Sequence, residues 1–230
     1  GKHGGVRSPK APSHASLKGK HATPCLVIIT LICFSMPSPE PEVSPEDYKH
    51  LHRYDVPGQA RAINFSCFRN QSFLTSERAC QWLAEALERF LPLHDTDLWA
   101  YCFMPTHVHL VLFPHGEPCM EDLLASMKKS VTNRAVAWVK RNAPAFLVRM
   151  RDEQPNGDVA YRFWQRGGGY DRNHNAGHAL WNAIDYVHNN PVEDGLVKRP
   201  EDWKWSSAAT YINKSLGPIP LNTRALPPRR

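Results

Sequence analysis

The sequence predicts an α+β domain of the ferredoxin-like or RRM-like plan, an antiparallel sheet with helices packed on one face. Three observations predict it. Residues 60–68, 97–104 and 107–113 alternate side-chain character with the period of two that strands require. Residues 76–90 and 121–138 repeat apolar side chains at spacings of three and four, the period of amphipathic helices. The resulting order of strand, helix, strand, strand, helix and further strand is that of a split βαβ unit.

The chain has 230 residues, which suits one domain with tails. Its formal net charge of +6 resembles a nucleic-acid signature. However, Lys2, Arg7, Lys10, Lys18 and Lys20 supply five of those charges before residue 25, with no acid among them. Local clustering therefore has to carry any argument for a polyanionic partner. The six cysteines (Cys25, Cys33, Cys67, Cys80, Cys102 and Cys119) form no C-x-x-C pair, which disfavours a zinc ribbon. Several lie in apolar runs as small hydrophobes, in keeping with a reducing, cytoplasmic setting.

Residues 1–24 lack periodicity and read as disordered. Residues 25–34 are an apolar run too short for the roughly 20 residues of a membrane span. With its basic leader the run looks like a secretory signal. Met36 nevertheless offers a start for a cytosolic protein, and an over-extended reading frame is the preferred account. Residues 37–47 are rich in proline and acid, a linker composition. Residues 1–53 are thus expected as tail and linker, 54–213 as the domain, and 214–230 as a C-terminal tail.

The first strand covers 60–68, and 69–72 turn the chain. Thr75 or Ser76 caps a helix whose apolar face is Cys80, Leu83, Ala84, Leu87 and Leu91. Residues 97–104 and the strand from His107 form a hairpin turned by Pro105-Thr106, and 114–118 form a loop. The second helix carries Leu124, Met127, Val131, Ala135 and Trp138 inward. From Ser126 to Arg151 it and the residues after it hold seven cations and no acid: Lys128, Lys129, Arg134, Lys140, Arg141, Arg149 and Arg151. One-signed runs favour phosphate contact over a solvated face, although acids elsewhere, such as Glu85 and Glu88, could balance them. Residues 159–165 read as a final strand and 166–173 as a flexible, glycine-rich loop. No G-K-[ST] follows the glycines, so a Walker loop is excluded. Asn175 caps a last helix with Ala179, Leu180, Ala183, Ile184 and Val187 inward, ended by Pro191.

The chemistry concentrates in two places. Along the strand, His107 and His109 point to one face about 7 Å apart, and Val108, Leu110 and Leu112 point to the other. Two neutral imidazoles so placed can share a divalent metal, although a bare His-x-His is as often a surface pair. On the last helix, Tyr186 and Asn190 lie at i and i+4 on one face. If that face looks at the histidines, Asn190 can offer an amide oxygen to the metal and Tyr186 its hydroxyl.

The blocks Met104-Pro105-Thr106-His107-Val108-His109, Phe163-Trp164-Gln165 and Tyr186-Val187-His188-Asn189-Asn190-Pro191-Val192, with Gly195-Leu196-Val197, resemble the REP-associated tyrosine transposases. These are relatives of the single-tyrosine HUH transposases. The ending Asp202-Trp203-Lys204-Trp205-Ser206-Ser207 and Tyr211 is also similar, and the resemblance covers residues 54–213. The chain departs from the pattern at glycines 167–169 and at Asn173-His174.

The resemblance implies the HUH nuclease fold, with His107 and His109 as metal ligands, Asn190 as a third, amide-type ligand and Tyr186 as the nucleophile. The implied cofactor is Mg²⁺ or Mn²⁺, with no small-molecule cofactor and no membrane. The implied partner is single-stranded or hairpin DNA, cut and rejoined through a 5′-phosphotyrosine. Lys128, Lys129, Arg134, Lys140, Arg141, Arg162, Gln165 and Arg172 are the candidate DNA contacts. A site completed within one chain favours a monomer and leaves a dimer open. The competing readings are a DNA-binding regulator of the same fold without strand transfer, and a hydrolytic metallonuclease. A His-x-His amidohydrolase is disfavoured, since its barrel needs about 250 residues.

Overall fold

The structure is a computed structural model that describes residue 1 and residues 58–116, 120–167, 169–174 and 177–229. All but residue 1 fall in the unit Val43–Arg230. The readings made for residues 2–53, and for Asn175 as a cap, lie outside the described residues.

The elements in order are β1 (Ala60–Ser66), α1 (Glu77–Leu93), β2 (Thr96–Phe103), β3 (His107–Pro114), α2 (Met120–Asn142), α3 (Leu147–Met150), β4 (Arg151–Glu153), β5 (Val159–Tyr161), β6 (Tyr170–His174), α4 (His178–Glu193) and α5 (Ala208–Asn213). The main sheet runs β2-β3-β1-β6 and its pairs are antiparallel. This is the strand order of the expected plan.

Strand periodicity sorts the core into two layers. Ile63, Phe65, Tyr101, Phe103, Val108, Leu110 and Leu112 face one way and pack with Leu83 and Leu87 of α1 and Met127 and Val131 of α2. Ala60, Ala100, Cys102 and Val111 face the other way and pack with Leu180, Ile184 and Val187 of α4. Helices therefore cover both faces, not one. An apolar stripe on α4 has to be buried somewhere, at about 1.5–3 kcal/mol for each large side chain, and the small residues of β2 and β3 provide the seat. Ala62, Asn64 and Ser66 on β1 stay half-buried.

The strand expected over 159–165 is split. Val159–Tyr161 pairs with Arg151–Glu153 in a separate hairpin, and Trp164 makes only an isolated bridge to Cys67. The fourth strand of the main sheet is β6, whose first four residues fall in the segment read as a flexible loop; it pairs with β1 from Ala60↔His174 to Asn64↔Tyr170. Gly169 makes this pairing feasible. Its φ is +76°, and a Cβ there would sit 1.8 Å from the Asn64 carbonyl oxygen. We expect Gly169→Ala to destabilise the domain by about 3 kcal/mol or more, since it combines a forbidden contact with a strained φ. Chemical denaturation measures this, and a change below about 1 kcal/mol would show that β6 is not held as described.

Three helix details also differ from expectation. Val139, not Trp138, completes the buried row of α2; the Trp138 ring is exposed, with the Arg78 guanidinium over it. Pro191 does not end α4, and Ala179 is exposed. An interior proline loses the bond its missing N–H would have made and crowds the carbonyl one turn back, a cost of about 3 kcal/mol that the burial of the α4 stripe offsets. The helix stops at Gly195 (φ +69°), where the Gly195 N–H donates to the Val192 carbonyl at 3.0 Å and the Leu196 N–H to the Pro191 carbonyl at 2.8 Å. That pair of bonds is a Schellman closure.

The outer edge of β2 is occupied by residues 205–207. The Phe103 N–H donates to Trp205 O at 2.8 Å and the Ser207 N–H to Tyr101 O at 2.9 Å. Beyond Asn213, the stretch expected as a tail lies along the same strand. Ile219 is buried and its N–H donates to the Tyr101 hydroxyl, and the Asn222 N–H donates to Leu98 O at 3.2 Å.

Candidate active site

The histidines sit at the start of β3, just after a tight turn. The Met104 N–H donates to His107 O at 2.8 Å, the Leu74 N–H to Pro105 O at 3.0 Å and the Cys67 N–H to Thr106 O at 2.7 Å, so the hairpin tip is tied on both sides. The rings of His107 and His109 stand 4.8 Å apart between centroids and nearly perpendicular. The Tyr186 ring meets His109 edge-to-face, at 5.6 Å and 88°. Tyr186 is 53% exposed and His109 only 4%.

Asn190 is buried one turn beyond Tyr186 and its Nδ2 donates to the Tyr186 carbonyl at 2.7 Å. A carbonyl can only accept, so this bond fixes the amide with its oxygen turned elsewhere. The structure thus brings His107, His109, Tyr186 and Asn190 together; their spacing paired them two by two and left open whether the helix face looks at the histidines.

Burial pushes the His109 ring down to about 4; the neighbouring His107 adds to this and the Asn190 amide opposes it. Burial also lowers His107, against the pull of the Asp194 carboxylate. Both rings are therefore held in the form that offers a lone pair. The His109 Nε2 is buried and has no hydrogen-bond partner among the described residues. Thr106 Oγ1 lies 3.0 Å from His107 Nδ1 and orients that ring. Among the described residues no cluster of three His, Cys, Asp or Glu forms. An ion here would rest on two imidazoles and an amide oxygen, and an unpartnered buried nitrogen beside an oriented amide fits that set.

Two contributors were missed in the sequence. Thr106 carries no signal beyond its place next to His107. Asp194 does: Tyr186, Asn190 and Asp194 recur every four residues and share one helix face.

His188, from the same block as Tyr186, has a structural job. Its Nε2 is 2.8 Å from Ser207 Oγ, which also takes the Tyr101 N–H, so it fastens α4 to β2. Burial, opposed by Asp185, pushes it from 6.5 to about 4. The unfolded chain then takes up this proton before the folded one, so stability is complete above pH 6.5 and is lost as pH falls from there toward 4. The loss from this residue is on the order of 3 kcal/mol. His188→Gln keeps a donor for Ser207 and has no proton to gain. Its urea midpoint should therefore fall less than the wild type's over that range, and equal falls would refute the assignment.

The candidate DNA contacts scatter. Cross-strand partners share a face, so Arg172, opposite Ala62 in a row with Val111, lies on the histidine side and is exposed. Lys129, Arg134, Lys140 and Arg141 ride on α2, across the sheet from the histidines. Arg134 pairs with Glu85, one of the acids that could balance this run. Lys140 lies over the Tyr161 ring. Lys128, Arg162 and Gln165 converge beside α2, with Arg162 paired to Asp152.

No family model matches the chain. Over 120 residues it is 27% identical to a Haemophilus influenzae protein that carries the name of a REP-associated tyrosine transposase, an overlap of 52% of this chain. The chain spans 62% of that relative's length. Among solved structures it is similar to a REP-associated tyrosine transposase bound to a REP hairpin, with a TM-score of 0.55 and 19% identity. That superposition covers 77% of this chain and 87% of the other. The resemblance and the fold expected from the sequence are borne out by these likenesses. No helix among the described residues is long and apolar enough to cross a membrane.

Proposed function

We propose that the protein cuts and rejoins single-stranded or hairpin DNA, with Tyr186 as nucleophile and a divalent ion, Mg²⁺ or Mn²⁺, held by His107, His109 and Asn190. The observation that carries this reading is the meeting of the Tyr186 ring with His109 while Asn190 lies buried one turn away. The name of the relative and the hairpin held by the structural neighbour support DNA as the substrate class. All four side chains come from one chain, so we take one protomer to complete the site.

When bound, such an ion would neutralise the non-bridging oxygens of the scissile phosphate and polarise the phosphorus. The chain's own groups do the rest. Tyr186 is exposed enough to meet a backbone phosphate, and its helix holds it in place. Its phenol oxygen gives up a proton and forms the new bond to phosphorus, while the bond from phosphorus to the 3′-oxygen breaks. The leaving 3′-oxygen takes up a proton, so the products are a 5′-phosphotyrosine and a free 3′-hydroxyl. A phosphodiester is exchanged for a phosphodiester, so a later 3′-hydroxyl can reverse the step. Attack by water would forfeit that.

The test is to incubate the protein with a hairpin oligonucleotide and Mn²⁺, denature it, and map any protein–DNA adduct by mass spectrometry. An adduct on Tyr186 is the expected result. DNA binding without an adduct would replace this reading with the silent regulator.

A further inference from the structure

The turn that leads into β3 sets one more polar group against the histidine pair. Thr106 is held there by the backbone, since the Cys67 N–H donates to the Thr106 carbonyl at 2.7 Å and the Leu74 N–H to the preceding Pro105 carbonyl at 3.0 Å. Its side chain is half-buried, and its hydroxyl oxygen lies 3.0 Å from Nδ1 of His107.

A hydroxyl can give or take a proton, so this bond has two forms. In the first, the hydroxyl donates to a bare Nδ1 and the ring proton sits on Nε2. In the second, the Nδ1–H donates to the hydroxyl oxygen and Nε2 keeps the lone pair. A neutral imidazole has one lone pair to offer, and the partner of one nitrogen decides where it sits. In the first form that pair is spent on the hydroxyl, so only the second can serve a cation. The two nitrogens lie on opposite edges of the ring, and Nε2 then points away from Thr106. His109 gives the same end of its ring: its Nε2 is buried with no hydrogen-bond partner among the described residues, as at a place where a ligand is missing.

We propose that Thr106 is a positioning residue, whose hydroxyl oxygen accepts the Nδ1–H of His107 and so presets the tautomer that presents Nε2 to a divalent ion. The inference rests on the metal-dependent strand-transfer reading above. It adds which nitrogen of His107 would serve the ion and what holds it ready. The ring stays neutral throughout; only the seat of its one proton is fixed.

Long-range proton–nitrogen NMR correlations on histidine-labelled protein tell a protonated ring nitrogen from a bare one. The measurement is made without metal at about pH 8, well above the ring's ordinary 6.5. The wild-type protein and Thr106→Ser should show His107 with Nδ1 protonated and Nε2 bare. Thr106→Val keeps the shape but removes the oxygen, and should lose that preference. Mn²⁺ titrations followed by the thermal midpoint should give Thr106→Val a dissociation constant about 10- to 100-fold weaker than the wild type's, the cost of removing such a partner. Thr106→Ser should stay near the wild type. A wild-type His107 protonated on Nε2 overturns the proposal, and that result stands even if Thr106→Val fails to fold. A folded Thr106→Val that binds Mn²⁺ as tightly as the wild type also overturns it. In both cases a Tyr186 adduct on the hairpin leaves the strand-transfer reading intact. A wild-type midpoint unmoved by Mn²⁺, with no adduct formed, overturns both.

Discussion

Tyr186→Phe is expected to form no covalent adduct with a hairpin oligonucleotide, and its strand cleavage should fall by at least about a thousandfold, the scale on which removing a nucleophile acts. The substitution deletes one oxygen from a half-exposed ring. The edge-to-face contact with His109 survives, as does the Asn190 bond, which is made to the backbone of residue 186. Folding and DNA affinity should therefore match the wild type, which isolates the phenol oxygen as the variable. Gel electrophoresis under denaturing conditions separates the outcomes. Cleavage at wild-type rate in this variant would identify water as the nucleophile and the protein as a hydrolytic metallonuclease.

His109→Ala should lose cleavage by about a hundredfold to a thousandfold or more, comparable to removing one preorganised group that stabilises transition-state charge. A chelator should reproduce that loss in the wild-type protein. A second readout does not involve catalysis. A ligand that binds only the folded state stabilises it by about 2.7 kcal/mol at a hundred times its dissociation constant, so Mn²⁺ should raise the wild-type thermal midpoint. The rise should vanish in His109→Ala. The substitution also removes a buried ring that meets His107, Tyr186 and the Asn190 amide, so the variant's own cooperative thermal transition has to be shown before its response to Mn²⁺ is read. The same midpoint rise in both proteins would remove His109 from the ion site.

Strands β1 to β3, the histidine hairpin and the pairing of Tyr186 with Asn190 were legible because each rests on local periodicity, two for the sheet and 3.6 for the helix. What escaped was set by longer-range contacts. β6 is Tyr-Asp-Arg-Asn-His after a glycine run, a composition that reads as loop; it is held by backbone pairing to β1 and by the missing side chain of Gly169. The apolar stripe of α4 showed that something would cover it but not which face of the sheet would do so. The cation run on α2 counted charges correctly, yet a count says nothing about the sheet lying between those charges and the histidines. Pro191 signalled a stop that the Gly195 closure places later, because the buried stripe of α4 offsets the lost bond and the ring crowding of an interior proline.

α4 is seated by Leu180, Ile184 and Val187 and fastened by His188, and it carries both Tyr186 and Asn190. Under the strand-transfer reading, a DNA end captured on the phenol has no arm of its own to swing on. The incoming 3′ end must do the travelling, so reach along the DNA, rather than a protein hinge, would set which ends are joined.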